Sequence, residues 1–383
     1  MSRREVAVVG VAESDLGVTG KSRLALTSQA VMRACDDAGV AVRDLDGVFT
    51  NNVSRFSTTL LSEYLGIDPR LTDSTFVGGS AVEAYAARAT EAIAAGVIDT
   101  AVIAYGSDQR SAKSRTLGGP VEDWTPAAQY ETHHGPMYPA SMYAMAAQRH
   151  FHDHGTTEED LAAIAVAARE WALLNPAAYR HDAGPLTVED VLASPPVSTP
   201  LKVADCCLVT DGGGAVVLTS LERARDLTNT PVVVLGHGEA TTHDTMAQMP
   251  DLTSTGAVVS GSRAYAMAGI TPDDVDVAQL YDSFTITVAL TLEALGFCDP
   301  GGFAELVAHG GIAPGGRLPI NTSGGGLAYC HPGQFGILLL VEAVRQLRGE
   351  CGERQVADPE VAVAHGTGGI LSHHATVVLG RDR

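Results

Sequence analysis

The chain repeats itself, and the repeat constrains its fold more than any single motif does. VAVVGVAE at 6–13 resembles VVVLGHGE at 232–239, each a short apolar run broken by glycine. ACDDAGVAVRDLDGVF at 34–49 resembles AYAMAGITPDDVDVAQLYDSF at 264–284. Both read as a helix end, a glycine C-cap, an acidic turn and a strand. TFVGGSAVEAYAARATEAIAAG at 75–96 answers NTSGGGLAYCHPGQFGILLLVEAVRQLRG at 321–349, a Gly-rich turn opening a long helix in each case. TAVIAYGS at 100–107 answers VAVAHGTGG at 361–369. Four matches in one order denote a duplication.

The repeated unit, strand–helix–strand–helix–strand, predicts right-handed crossovers and a mostly parallel sheet. Two α/β halves, 1–225 and 226–383, are expected about a pseudo-twofold axis. The helix from Val82 to Ala95 is rich in alanine, small enough to be buried between two sheets. Residues from about 108 to 200 have no counterpart in the second half and read as an inserted loop and helix domain. Its Trp, Tyr, Met and Pro content fits a cap over an apolar ligand.

Charge and cysteine usage narrow the function classes. A formal net charge of -20 argues against DNA or RNA as a partner, because phosphate backbones reward basic surfaces. The apolar run near the N-terminus is only about seven residues, a first strand rather than a signal peptide. No uncharged apolar window is long enough for a membrane span. Six cysteines without CxxC spacing indicate a reduced, cytoplasmic protein. His150, His152 and His154 read as a surface helix or loop, so no metal site is expected. Strand alternation sends His373 and His374 to opposite faces.

YDSFTITVALTLEALGFC (281–298), NTSGGGLAYCHPG (321–333) and HGTGGILSHHATVVLG (365–380) carry a resemblance that covers nearly the whole chain. They resemble the thiolase superfamily, most closely the branch of sterol-carrier-protein thiolases and bacterial lipid-transfer thiolase-like proteins. The resemblance implies a duplicated, five-layered αβαβα thiolase fold with a loop domain over the site. It implies acyl-CoA substrates, with coenzyme A as part of the substrate and no tightly bound cofactor. It further implies a homodimer, with a strand near Ala101 to Tyr105 at the interface. A small partner protein, part zinc rubredoxin-like and part OB fold, is implied as well.

Carried onto this chain, the family's nucleophilic cysteine falls at Gly78 or Gly79. No acyl-enzyme of the usual kind can form there. Gly78, Gly79 and Ser80 then form a turn and N-cap that positions substrate, with Ser80 a less favoured nucleophile. Tyr281 stands at the head of the family's HDCF or NEAF motif, either as a hydrogen-bond donor, acid or base, or as a partly buried aromatic at a strand end. His331 is the histidine of the GHP motif and the expected base. Cys330 replaces a glycine and reads as a packed small residue. His365 takes the place of the second family cysteine, as a base or as a structural residue. Asn321, Gly368 and Gly369 are candidates for holding an oxyanion or the substrate. Arg110, Lys113 and Arg115 are candidates for the coenzyme A phosphates.

Retro-aldol cleavage of a β-hydroxyacyl-CoA, as in the family's steroid side-chain aldolases, needs a base and an electron sink but no covalent intermediate. That subgroup is expected to carry a second tyrosine where this chain has His331. The alternatives are a thiolase or acyltransferase acting on a β-ketoacyl-CoA, and a non-catalytic acyl-CoA or lipid binder.

Overall fold

The computed structural model describes residues 4–114, 122–227 and 230–382. Nine strands form its main sheet: β1 (Val6–Glu13), β2 (Gly47–Thr50), β3 (Leu71–Asp73), β4 (Thr100–Ser107), β5 (Gly212–Ser220), β6 (Val232–Thr241), β7 (Val277–Leu280), β8 (Val361–Gly368) and β9 (His373–Arg381). The helices that place the site are α1 (Arg23–Ala38), α2 (Ala81–Ala94), α3 (Ala140–His154), α4 (Glu158–Leu173), α5 (Ala257–Ala268), α6 (Thr285–Ala294) and α7 (Gly336–Arg348).

The duplication is visible in the connectivity. The sheet runs β3-β2-β4-β5-β1-β6-β9-β8-β7. Outward from the β1–β6 seam, β1-β5-β4-β2-β3 is matched by β6-β9-β8-β7. Ile320, which bridges Ala278 in parallel, then stands where β3 stands beside β2. The repeated C-caps are real: α1 ends at Gly39 (φ 65°) and α5 at Gly269 (φ 70°), both left-handed.

The sheet is not mostly parallel. Only β2–β3, β2–β4 and β7–β8 run parallel; β1–β5, β4–β5, β1–β6, β6–β9 and β8–β9 are antiparallel. The last strand of each half, β5 or β9, returns between two earlier strands in the opposite sense. Neither strand belonged to the four sequence matches, so the repeat read too short.

Helix α1 packs on β1, β4 and β5, and α5 on β6 and β9, as the outer layers. Between the halves lie α2 and α7, which touch each other and strands of both halves. This gives the five layers of the duplicated fold. The ladders nevertheless join as one sheet across the seam, through Ala7↔Val233 and Val8↔Val232. The small side chains of Ala81, Ala84, Ala86, Ala87 and Ala89 let α2 sit in the middle. Helix α7 is buried nearly all round, and its charged Glu342, Arg345 and Arg348 are paired with Arg354, Glu13 and Asp37.

Strand β4 is paired on both sides, so Ala101 to Tyr105 has no free edge to offer a second subunit. On the side of the first half the open edge is β3. The insertion supplies α3 and α4. The latter starts on a capping box, Thr157 with Asp160, and lays Ala172 against Gly324, where a Cβ would come within 2.7 Å of the alanine Cβ. It therefore braces the Gly-rich turn of the second half. Among the described residues no helix is long and apolar enough to cross a membrane.

Candidate active site

The site grows from the end of β7. Leu280 N donates to Asn321 Oδ1 at 2.7 Å, and Asn321 N donates to Ala278 O at 3.0 Å. This fixes the Gly-rich turn on the strand and commits the Asn321 carboxamide oxygen to structure. Asp282, fully buried, accepts from Gly326 N (2.7 Å) and Leu327 N (3.2 Å), capping a π-type turn at Gly325–Tyr329. Burial pushes its carboxyl up to about 7 against the pull of those N–H groups. Glycine is required at 325 and 326. A Cβ would lie 2.1 Å from Asp282 Oδ2 at the first, and 2.7 Å from His331 Cδ2 at the second.

The turn delivers His331. Its backbone is held from both sides by Thr210: His331 N donates to Thr210 Oγ1 at 3.0 Å, and Thr210 N donates to His331 O at 3.2 Å. The ring stacks on Phe335 at 5.9 Å and meets Tyr281 edge-on at 5.6 Å. It is 2% exposed, yet neither ring nitrogen has a hydrogen-bond partner. Burial pushes its pKa down to about 4, so the imidazole is neutral at neutral pH. A buried polar side chain left unpaired in this way calls for a ligand.

Tyr281 donates its hydroxyl to Gly333 O at 2.7 Å and accepts from Phe335 N at 3.4 Å. Burial holds the phenol neutral, pushing its pKa well up, and the nearby Cys207 and Tyr143 act in the same direction. The ring covers Gly79. A Cβ there would lie 2.3 Å from Tyr281 Cε2 and 2.4 Å from Cζ. The space that a side chain at position 79 needs is filled by the tyrosine.

The first-half turn and the C-terminal glycine loop interlock beneath it. Gly78 has φ +78°, and a Cβ on it would meet Gly369 N at 2.6 Å; a Cβ on Gly368 would meet Val77 O at 1.8 Å. Ser80 Oγ lies 2.7 Å from His373 Nδ1, so its partner is His373 and not His331. Cys330 is fully buried beside Thr210 Oγ1 (3.1 Å), with its thiol pushed up to about 12 by burial, which fits a packed residue.

His365 does not join this cluster. Its Nδ1 is paired with Thr376 Oγ1 (2.8 Å) and its Nε2 with His374 Nδ1 (3.2 Å). The neighbours Gly366 and Gly368 face Ser80 and Glu83 on the inner side. Alternation along β8 therefore turns His365 to the outer face, toward Thr376 and, through it, Ser260 of α5. His150, expected at the surface, is also buried, bonded to Thr156 Oγ1 (2.7 Å) and Glu293 (3.1 Å). Arg110 and Lys113 are exposed on the turn that begins at Gln109, whose Oε1 would be 3.1 Å from a Cβ on Gly333. Arg115 lies outside the described residues.

Sequence reasoning missed three groups. Asp282 builds the turn, and its place beside Tyr281 in the same tetrapeptide was the available signal. Tyr143 comes from α3 of the insertion, with its hydroxyl 3.3 Å from Gly369 O and its ring 4.5 Å from Phe284. Cys207 donates its backbone N–H to Ser283 O at 2.9 Å and brings its thiol near Tyr281 and Tyr143. Neither residue stands in a motif; tertiary packing alone brings both here.

Comparison with known proteins defines the class. Residues 238–381 match the Thiolase C-terminal domain-like family. The chain is 36% identical over 380 residues to the 17-hydroxy-3-oxo-4-pregnene-20-carboxyl-CoA lyase of Mycobacterium tuberculosis, covering 95% of this chain and 97% of that one. It is 34% identical to the steroid side-chain-cleaving aldolase of Thermomonospora curvata (98% of each chain) and 34% identical to an acetyl-CoA acetyltransferase of Methanothermobacter thermautotrophicus (97% and 99%). The solved structure of an Ltp2-ChsH2(DUF35) aldolase superposes with TM-score 0.90 at 32% identity, over 100% of this chain and 99% of that one. The chain belongs to the thiolase superfamily, in the branch that holds the steroid side-chain aldolases and sterol-carrier-protein thiolases. It is an enzyme of the lyase or acyltransferase class.

Proposed function

We propose that the enzyme cleaves the Cα–Cβ bond of a β-hydroxyacyl-CoA, by retro-aldol chemistry and without a covalent intermediate. The observation that carries this reading is Gly79 beneath the Tyr281 ring. No nucleophile can stand there, the Ser80 hydroxyl is engaged with His373, and Cys330 is packed away. His331, neutral and with both ring nitrogens unpartnered, takes the β-hydroxyl proton. The Cα–Cβ electron pair then passes to the thioester as an enolate, and the β-carbon leaves as an aldehyde or ketone. The Tyr281 phenol turns its hydrogen bond from Gly333 O to the enolate oxygen. Protonated His331 returns the proton to the α-carbon, giving the shortened acyl-CoA. Similarity to the pregnene-carboxyl-CoA lyase and the steroid side-chain aldolase supports a steroid or another bulky acyl group.

Coenzyme A enters as part of the substrate, and Arg110, Lys113 and Arg115 are the candidates for its phosphates. The open β3 edge is the surface we assign to a homodimer. A small OB-fold partner with a zinc-binding part is proposed by analogy with the two-component aldolase. Six free cysteines fit work in the cytoplasm. A second reading, Claisen-type thiolase chemistry on a β-ketoacyl-CoA, is favoured by the acetyl-CoA acetyltransferase relatives and by His331.

Purified protein, with and without the OB-fold partner, should release an aldehyde or ketone and a shortened acyl-CoA from a β-hydroxyacyl-CoA. Product formed only from a β-ketoacyl-CoA, and only with free coenzyme A, would replace this reading with the second.

A further inference from the structure

Beneath the site lies a line of side chains that the proposed reaction does not use. Ser80 Oγ is 2.7 Å from His373 Nδ1, and His373 Nε2 is 2.9 Å from Glu239 Oε1. Glu239 continues to Arg88 (3.1 Å), and Arg88 to Asp73 of the open edge strand β3 (3.5 Å). Ser80, Arg88 and Asp73 come from the first half of the chain, His373 and Glu239 from the second.

In the neutral ring the direction of each bond follows. A carboxylate can only accept, so the single proton of His373 sits on Nε2. Nδ1 then carries a lone pair and accepts from the Ser80 hydroxyl. Serine, histidine and acid in this order form the arrangement of a nucleophilic hydrolase. Here, however, the serine is 0% exposed, and a Cβ on Gly368 would sit 2.5 Å from its Oγ. No thioester can reach that oxygen, so the array acts by holding rather than by attacking. What it holds is the residue next to Gly79, the floor on which the Tyr281 ring rests.

We propose that His373 is a positioning residue for the reaction, with its tautomer set by Glu239, and that it pins the Gly78–Ser80 turn in the one placement that leaves room for Tyr281. The clearance is small, since the virtual Cβ of Gly79 already lies 2.3 Å from the ring. A turn released from His373 disturbs Tyr281 before it disturbs the fold. The proposal deepens the reading of the site given above and rests on it.

Glu239 is the residue to vary, because it is 35% exposed and its replacement leaves the core intact. Glu239→Ala should lower kcat on the β-hydroxyacyl-CoA about tenfold, while KM changes by less than about twofold. Glu239→Gln, whose amide oxygen still accepts from Nε2, should restore most of that loss. Wild-type kcat in Glu239→Ala, or equal losses in both variants, would overturn the proposal. A second measurement is independent of activity: ¹⁵N NMR of histidine-labelled protein, with the His373 signals identified by their absence in His373→Gln. The expected pattern is a protonated Nε2 and a bare Nδ1; a protonated Nδ1 would overturn the assignment. Wild-type protein without lyase activity but with the expected tautomer would sink the proposed reaction and leave the hydrogen-bonded line standing.

Discussion

At the scale of single residues, one glycine decides the chemistry. A cysteine at 79 has nowhere to go, because its Cβ would meet both the Tyr281 ring (2.3 Å) and the backbone oxygen of Thr367 (2.5 Å). Gly79→Cys should therefore abolish β-hydroxyacyl-CoA cleavage without creating thiolase activity. The double variant Gly79→Cys with Tyr281→Ala removes the ring but leaves Thr367 O 2.5 Å from the new Cβ, so it should gain no thiolase activity either. Coenzyme A-dependent cleavage of a β-ketoacyl-CoA is the assay for both. The titration of His331 gives a second expectation. Its proton-accepting form is the neutral one, present above a pKa of about 4. Proton acceptance by His331 should be lost only as pH drops toward that value, while Asp282, pushed up to about 7, adds its own acid limb near neutrality, with circular dichroism confirming a folded enzyme at each point. In Asp282→Asn, where that limb is gone, an acid limb at the ordinary histidine pKa, about 6.5, would mean that the base is not this buried ring.

At the scale of elements, the turn from Gly325 to Tyr329 is where backbone geometry becomes function. Asp282 satisfies two of its N–H groups, and the turn sets His331 beside Tyr281. Asp282→Ala leaves both donors buried and unpaired, which should cost about 1–3 kcal/mol in urea unfolding, and more in turnover than in stability. Asp282→Asn, which keeps an acceptor, should lie between. Much of this was legible beforehand: the Gly run, the histidine and the YDSF tetrapeptide each stand in one continuous segment. Of the two readings of His365, base or structural residue, its pairing with Thr376 and His374 fits the structural one, for a reason also present in the sequence. Gly366 and Gly368 are the residues that allow close approach on the inner face, so an odd-numbered neighbour on the same strand must point away. Tyr143 and Cys207 had no such signal, because a helix of the insertion and a loop end meet there only in three dimensions.

At the scale of the molecule, the duplication was legible because its four segments recur in order. The direction of the strands was not, since β5 and β9 repeat only in topology. The packing of the inner layer has its own consequence. Glu83 of α2 is fully buried between Gly336 and Gly366; a Cβ at either would come within 2.5 Å or 2.2 Å of its Oε2. Neither carboxyl oxygen has a hydrogen-bond partner, and burial pushes the acid up to about 8 from its ordinary 4.5. The folded state keeps the proton that the unfolded chain releases above its lower pKa. This contribution to stability is therefore full at acid pH and is lost as pH rises through about 8. Relative to wild type, Glu83→Gln should gain stability between about pH 5 and pH 9, read as urea midpoints.

The seam between the halves is held by two residue pairs in the sheet, while α2 and α7 each lean on strands from both sides. Each half thus lends the other a wall for its central helix. If the chain were severed just ahead of β6, neither fragment would have anywhere to hide that helix. The pieces should remain insoluble apart and recover a fold only when mixed, so the ancestor of either half would have needed a twin before it could have been a protein.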